Sequence, residues 1–83
     1  MDWNKEGEKD AENENPRRTE GFPDDTAKDS YNEGFNNKWW EKGNDDAKLA
    51  RNKRQNLPND RDLVNNYSEG YDDCYFADAD DLL

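Results

Sequence analysis

Two segments of this chain repeat the order aromatic, two polar residues, glycine, aromatic. They are Tyr31 to Phe35 and Tyr67 to Tyr71, and weaker echoes run from Trp3 through Gly7 to Ala11 and from Trp39 through Gly43 to Ala47. A glycine inside a helix costs about 1 kcal/mol relative to alanine, so its repetition calls for a reason. Close helix packing supplies one, since glycine lets two helices approach while the flanking aromatic rings cover the partner. Chance recurrence of Glu-Gly pairs is the alternative.

A length of 83 residues allows one small domain at most, and apolar residues are scarce in the chain. Only 29% of residues are hydrophobic, 41% are charged, and the formal net charge is -10. Leucine, valine and phenylalanine fall well below the roughly 20% at which high charge goes with disorder. The ten aromatic residues favour a folded chain instead, because each can bury a large area.

The spacing of the apolar residues predicts helices on both sides of Pro58. Before it, Asp24 and Asp25 suit a helix start, and after it Asn59 or Asp60 suits the next one. Pro58 itself disfavours helix at the preceding residue. The segment 26–56 is compatible with one helix through Gly43 or with two. The apolar faces, at spacings of three and four, are Ala27, Tyr31, Gly34, Phe35, Trp39 and then Leu63, Tyr67, Gly70, Tyr71, Cys74.

These patterns predict an all-α fold, a small antiparallel helical hairpin or a two-to-three-helix bundle with a disordered N-terminal tail. We expect residues 1–23 to be a flexible acidic tail, 24–76 a helical domain and 77–83 an acidic C-terminal tail. An isolated helix as short as residues 3–14 is marginal in water. The helix-packing residues are expected to be Tyr31, Gly34, Phe35, Leu63, Tyr67, Gly70 and Tyr71. A homodimer would bury more area than a single hairpin does.

The two aromatic-x-x-Gly-aromatic helices and their proline-containing connector resemble the ribosome modulation factor group of small bacterial proteins. The match covers roughly residues 27–74 and is carried by Tyr31, Gly34, Phe35, Leu57, Pro58, Tyr67, Gly70 and Tyr71. The resemblance implies a two-helix architecture and a ribosome-associated, hibernation-like role through binding to ribosomal RNA. Members of that group are basic, whereas this chain is acidic outside residues 47–61.

Charge is divided into zones along the chain. Residues 47–61 carry a net charge of +4, and residues 62–83 hold seven acids and no base. The bases, among them Lys48, Arg51, Lys53 and Arg54, either contact phosphate or neutralise acids of a facing helix, and the global charge favours the second. Carboxylates four or five residues apart on a helix are spaced about 6–7.5 Å along its axis, similar to phosphates on a nucleic-acid strand. We expect this anionic strip and its aromatic anchors to bind a partner: Asp62, Glu69, Asp72, Asp73, Tyr75, Phe76, Asp78, Asp80 and Asp81.

Several kinds of chemistry are excluded or disfavoured. Without histidine and with only Cys74, the chain has no His/Cys zinc site and no Ser-His-Asp or Cys-His pair. A catalytic carboxylate pair needs a partly dry pocket, for which there is too little apolar material. We therefore expect no enzyme, no cofactor and no metal site, and no membrane span in the absence of a long apolar run. A single cysteine favours a reducing compartment and hence the cytoplasm.

Three functions remain in competition. The first is a small acidic inhibitor that binds a basic nucleic-acid-processing or defence enzyme. Its ground is that the composition resembles that of phage-encoded DNA mimics. This hypothesis places the protein in a host cytoplasm and does not favour direct nucleic-acid binding. The second is the ribosome-associated factor. The third is an adaptor that folds on binding its partner.

Overall fold

The computed structural model describes the backbone of residues 2–81 and the side chains of residues 2–74. It contains three helices, α1 (Trp3–Glu12), α2 (Asp25–Lys48) and α3 (Arg61–Asp81), and the described residues include no strand. The predicted all-α fold is confirmed. Helix α2 passes through Gly43 without a break, so the single-helix alternative holds there, although the helix ends at Lys48 and not near residue 56.

The chain divides into two units, Met1–Lys38 and Trp39–Leu83. The first unit contains α1 and the beginning of α2, and the second contains the rest of α2 and α3. The boundary between the two units lies inside α2, within the segment 24–76 that was expected to be one helical domain. Each unit is a pair of helices joined by a loop of about twelve residues, and each carries eleven acids and six bases, a net charge of -5.

The expectation of a flexible tail at residues 1–23 was wrong. Within this segment α1 forms a capped helix, in which the Asp2 side chain accepts hydrogen bonds from the backbone N–H groups of Asn4 and Lys5. Gly7 and Ala11 are buried. A helix so polar is held because the fully buried aromatic side chains of its unit, Tyr31 and Phe35, come from α2, and Gly7 and Ala11 of α1 supply a small surface for them.

Glycines bring the two helices of each unit into backbone contact. In the first unit, the hydrogen of Gly7 that stands in place of a Cβ points at the backbone carbonyl of Tyr31, and that of Gly34 points at the carbonyl of Asn4. Such Cα–H···O contacts recur where helices pack closely. In the second unit Gly43 meets Tyr67 in the same way, and Gly70 meets Trp40.

The close contacts correct the helix pairing expected from the sequence. The Tyr31–Phe35 segment packs against α1, and the Tyr67–Tyr71 segment packs against the Trp39–Lys48 part of α2. Each strong copy of the pattern is thus paired with one of the weak echoes. The chain is an internal duplication with a period of 36 residues. The period relates Trp3 to Trp39, Gly7 to Gly43 and Gly34 to Gly70.

The helix ends follow the same period. The carboxylate of Asp24 accepts a hydrogen bond from the Ala27 N–H (2.8 Å) at the start of α2, and Asp60 accepts one from the Leu63 N–H (3.1 Å) at the start of α3. Two residues beyond the ends of helices α1 and α2 lies a residue with positive φ, which allows the paired backbone hydrogen bonds of a Schellman motif to form. These residues are Glu14 and Ala50, at φ 57° and 56°.

A Gly43→Ala substitution tests the close contact. In an open helix position this change stabilises by about 1 kcal/mol. Here the new Cβ would overlap the Tyr67 carbonyl and lie 2.9 Å from the Tyr71 backbone nitrogen, so we expect a loss of about 1–3 kcal/mol in chemical unfolding. Asn37→Ala, at an exposed position of α2, is the control and should leave stability unchanged or slightly higher. A Gly43→Ala protein as stable as the parent would contradict the packing.

Candidate functional site

A buried tyrosine, an aspartate and an arginine form a hydrogen-bond network in the first unit. The Tyr31 hydroxyl donates to Oδ2 of Asp10 at 2.7 Å, and Nε of Arg18 donates to the same oxygen at 2.9 Å. The backbone N–H of Arg18 donates to the Tyr31 hydroxyl at 3.0 Å. The network ties α1, the loop and α2 of this unit together.

The second unit contains the same network 36 residues further on. The Tyr67 hydroxyl donates to Oδ2 of Asp46 at 2.6 Å, Nε of Arg54 donates to that oxygen at 3.0 Å, and the Arg54 N–H donates to the Tyr67 hydroxyl at 3.0 Å. Arg51 adds a longer ion pair to the other carboxylate oxygen at 3.5 Å. Both aspartates are nearly inaccessible, at 7% for Asp10 and 3% for Asp46.

The surroundings shift the pKa values of the acidic and phenolic groups in opposite directions. Burial by itself would raise the pKa of Asp10 and Asp46, but the hydrogen bonds from the tyrosine and the arginine outweigh it and hold both below 3.8. Burial, followed by the hydrogen bond to the aspartate, raises the pKa of Tyr31 and Tyr67 to about 12. Each network therefore holds an ionised carboxylate against a neutral phenol across the neutral pH range.

The loop bases of each unit lie over its aromatic rings. In the first unit Arg17 donates to the side-chain oxygens of Asn32 (3.0 Å) and Asn36, and its guanidinium lies 4.4 Å from the centre of the Phe35 ring. In the second unit Lys53 pairs with Asp72 at 3.2 Å and lies 5.7 Å from the Tyr71 ring. The chain's own carboxylates and rings thus engage these bases.

The structure separates the residues of the predicted anionic strip into three groups. Asp62, Glu69 and Asp73 are exposed on α3, and their spacing of seven and four places them on one helix face. Asp72 is turned to Lys53 instead. The side chains of the remaining members, Tyr75, Phe76, Asp78, Asp80 and Asp81, lie outside the described residues.

The predicted helix-packing residues lie inside the two units. Tyr31, Gly34 and Phe35 are buried in the first, and Leu63, Tyr67 and Gly70 are buried in the second, where Tyr71 is half-buried. Cys74 is a buried free thiol, 7% exposed. Among the described residues no group of three potential metal-ligating side chains comes together.

Sequence reasoning missed Asp10, Arg18 and Asp46, and it named Arg54 only as one of the bases expected to contact phosphate or to neutralise acids of a facing helix. In a chain with 22 acids, two buried aspartates have no compositional signature. The available signal was the period itself, because an offset of 36 residues pairs Asp10-Ala11 with Asp46-Ala47 and Arg18 with Arg54. Two identical acids and two identical bases kept in register with the tyrosines point to one shared interaction.

Comparison with known proteins yields no relative: no family model, no curated protein and no solved structure matches the chain. None of the helices in the described part of the chain is both long enough and apolar enough to cross a membrane.

Tyr67→Phe tests the energetic weight of the network. Removing the hydroxyl deprives the buried Asp46 of one donor and leaves the Arg54 N–H without its acceptor, so we expect a loss of about 1–3 kcal/mol in chemical unfolding. Tyr71→Phe is the matched control, since its hydroxyl donates to the Arg51 carbonyl in an exposed position. It should cost clearly less, and equal losses would contradict a special role for the buried network.

The same variant gives a pH dependence whose sign follows from the raised pKa. The phenol of Tyr67 loses its proton near pH 10 in the unfolded chain and near pH 12 in the folded one. Its contribution is complete below pH 10 and is lost as the pH rises toward 12. The stability difference between the parent and Tyr67→Phe should therefore be constant from pH 7 to 9 and shrink above pH 10. A difference that grows over the alkaline range would overturn the assignment.

Proposed function

We propose that this chain is a small, non-enzymatic interaction protein that binds a basic, nucleic-acid-binding partner and blocks its nucleic-acid site, acting as a mimic of DNA or RNA. The observation that carries the proposal is the segregation of charge. The loop bases are turned onto the chain's own carboxylates and aromatic rings, whereas rows of carboxylates face solvent.

The engaged bases include those that would otherwise offset the acidic surface. Arg18 and Arg54 are bonded to the buried aspartates, and Lys53 is bonded to Asp72. Lys38 pairs with Glu12 at 3.2 Å, and Arg51 pairs with Asp46. These contacts fix the positions of the positive charges beside the chain's own acids, so that an approaching molecule meets a surface dominated by the remaining carboxylates.

Each unit presents a helical row of exposed carboxylates. In the first unit the row is Asp25, Asp29 and Glu33, and in the second it is Asp62, Glu69 and Asp73. Within the residues that the structure describes, none of these six side chains makes an ion pair. Acids one turn apart rise by about 6 Å along the helix, a spacing that a groove built for phosphates can accept. A surface of this kind accelerates association with a basic protein and disfavours nucleic acid.

The two competing functions are less well supported. A ribosome-associated factor would depend on Lys48, Arg51, Lys53 and Arg54, yet the last three already hold carboxylates of their own unit. An adaptor that folds only on binding would show little helix when free. The repeated network and the backbone contacts of the glycines favour a folded free protein, which far-ultraviolet circular dichroism measures directly.

Competition on immobilised DNA tests the proposal. DNA-binding proteins from a lysate of the source cells are loaded onto DNA-cellulose at low salt, and the protein is applied as eluent. We expect it to release particular basic proteins at low salt. The complexes that it forms with them should dissociate at about 0.5 M salt, because the attraction is screened. If it displaces no protein from the DNA, the proposed function is wrong.

Two triple variants with the same change in net charge locate the binding face. Asp62→Lys, Glu69→Lys and Asp73→Lys reverse the α3 row, and Asp25→Lys, Asp29→Lys and Glu33→Lys reverse the α2 row as a control. Because the anionic strip of α3 is proposed as the site, the first variant should lose at least about tenfold in competing strength, roughly 1.4 kcal/mol, and the second should lose less. Equal losses would show an effect of total charge and contradict the assignment to α3.

A further inference from the structure

A cleft of about 630 Å³ opens in the first unit beside the indole of Trp3. It lies where the start of α1 meets the start of α2. Its lining includes Trp3, Ala27, Pro23 and Ser30, together with Asp2 and Asp24. The cleft therefore combines a partly exposed tryptophan with two acidic residues.

Comparison of the two units explains why the cleft exists. The 36-residue period relates Trp3 to Trp39 and Ala27 to Leu63. In the second unit Trp39 and Leu63 pack fully, each 1% exposed. In the first unit the shorter Ala27 leaves Trp3 half-buried. The cleft is thus a specific departure of one copy from an otherwise repeated core.

The second unit also shows what a tryptophan at this position holds. The Lys42 ammonium lies 5.4 Å from the centre of the Trp39 ring, and the Arg54 guanidinium lies 5.8 Å from it while bonded to Asp46. In the first unit Glu6 takes the place of Lys42, and no cation of the described residues lies over the Trp3 ring. Trp3 is the copy that lacks an internal cation.

Asp2 and Asp24 are suited to supply the negative charge for an external cation. Both are exposed, and each caps its helix through Oδ1. Capping fixes the position of each side chain through Oδ1. The arrangement of an indole face with nearby carboxylates matches a guanidinium, which stacks on aromatic rings and pairs with carboxylates in the same plane.

We propose that this cleft receives an arginine side chain of the basic partner, stacked on Trp3 and paired with Asp2 and Asp24. The proposal rests on the proposed function and deepens it by naming the group recognised in the first unit. It is a contact separate from the anionic strip of α3.

Titration with an acetylated and amidated hexa-arginine peptide tests the cleft, followed by the indole N–H signals in two-dimensional ¹H–¹⁵N NMR. We expect the Trp3 signal to shift and saturate, and the buried Trp39 signal to stay in place. A hexaglutamate peptide is the control and should shift neither. A Trp3 signal that does not respond to hexa-arginine would overturn the proposal.

Two variants separate the cleft from general attraction by charge. Ala27→Leu introduces the side chain found at Leu63 and should abolish the Trp3 shift by filling the space. The double variant Asp2→Asn, Asp24→Asn keeps both helix caps, since asparagine caps as well as aspartate, and should weaken binding about fivefold. Should Ala27→Leu fail to fold, the double variant still decides the question, because undiminished affinity contradicts the role of the carboxylates.

The outcome also distinguishes this inference from the proposed function. Suppose that hexa-arginine shifts the backbone signals of Asp62, Glu69 and Asp73 and leaves the Trp3 signal unchanged. The proposed arginine site in the cleft is then wrong, and the proposed binding role of the anionic strip is retained. If the peptide shifts neither region, both the cleft and the binding of basic partners are contradicted.

Discussion

The hydrogen bond from a buried tyrosine hydroxyl to a buried aspartate is the interaction on which each unit depends. In both copies the aspartate lies in the last turn of the first helix, the tyrosine lies on the second helix, and the arginine that completes the network lies in the loop between them. One carboxylate therefore connects all three parts of a unit. A buried charge left without these donors would be strongly destabilising, so the loop conformation and the helix pairing are fixed together.

This arrangement explains how a chain with so few aliphatic residues folds. Glycines let the helix backbones touch, which reduces the volume that side chains must fill. Aromatic rings are four of the five largest fully buried side chains, and the charged groups of loop residues Arg17 and Lys53 lie over the rings of Phe35 and Tyr71. The charged residues are part of the packing, and the low hydrophobic fraction gives a poor measure of what the chain can bury.

The same argument shows which features the sequence could predict. The apolar faces of α2 and α3, the capping roles of Asp24 and Asp60 and the break at Pro58 depend on local spacing, and they were predictable. Helix α1 was not, because Gly7 and Ala11 become a packing surface only against Tyr31 and Phe35, which follow much later in the chain. Helix propensity depends on neighbouring residues and therefore cannot predict such a long-range contact. The 36-residue repeat that relates Trp3 to Trp39 does indicate it.

Comparison of the two copies also shows which positions are kept and which differ. Positions that build the core network are identical in both: Asp10 and Asp46, Arg18 and Arg54, Tyr31 and Tyr67, and the paired glycines. Positions that differ include Ala27 against Leu63 and Glu6 against Lys42, and these decide whether a tryptophan is covered or open and whether a cation already lies over it. A duplication that keeps its hydrogen-bond network and changes the surroundings of its tryptophans presents two surfaces of equal net charge and different shape. Under the proposed function, these surfaces would give a basic partner two distinct contacts.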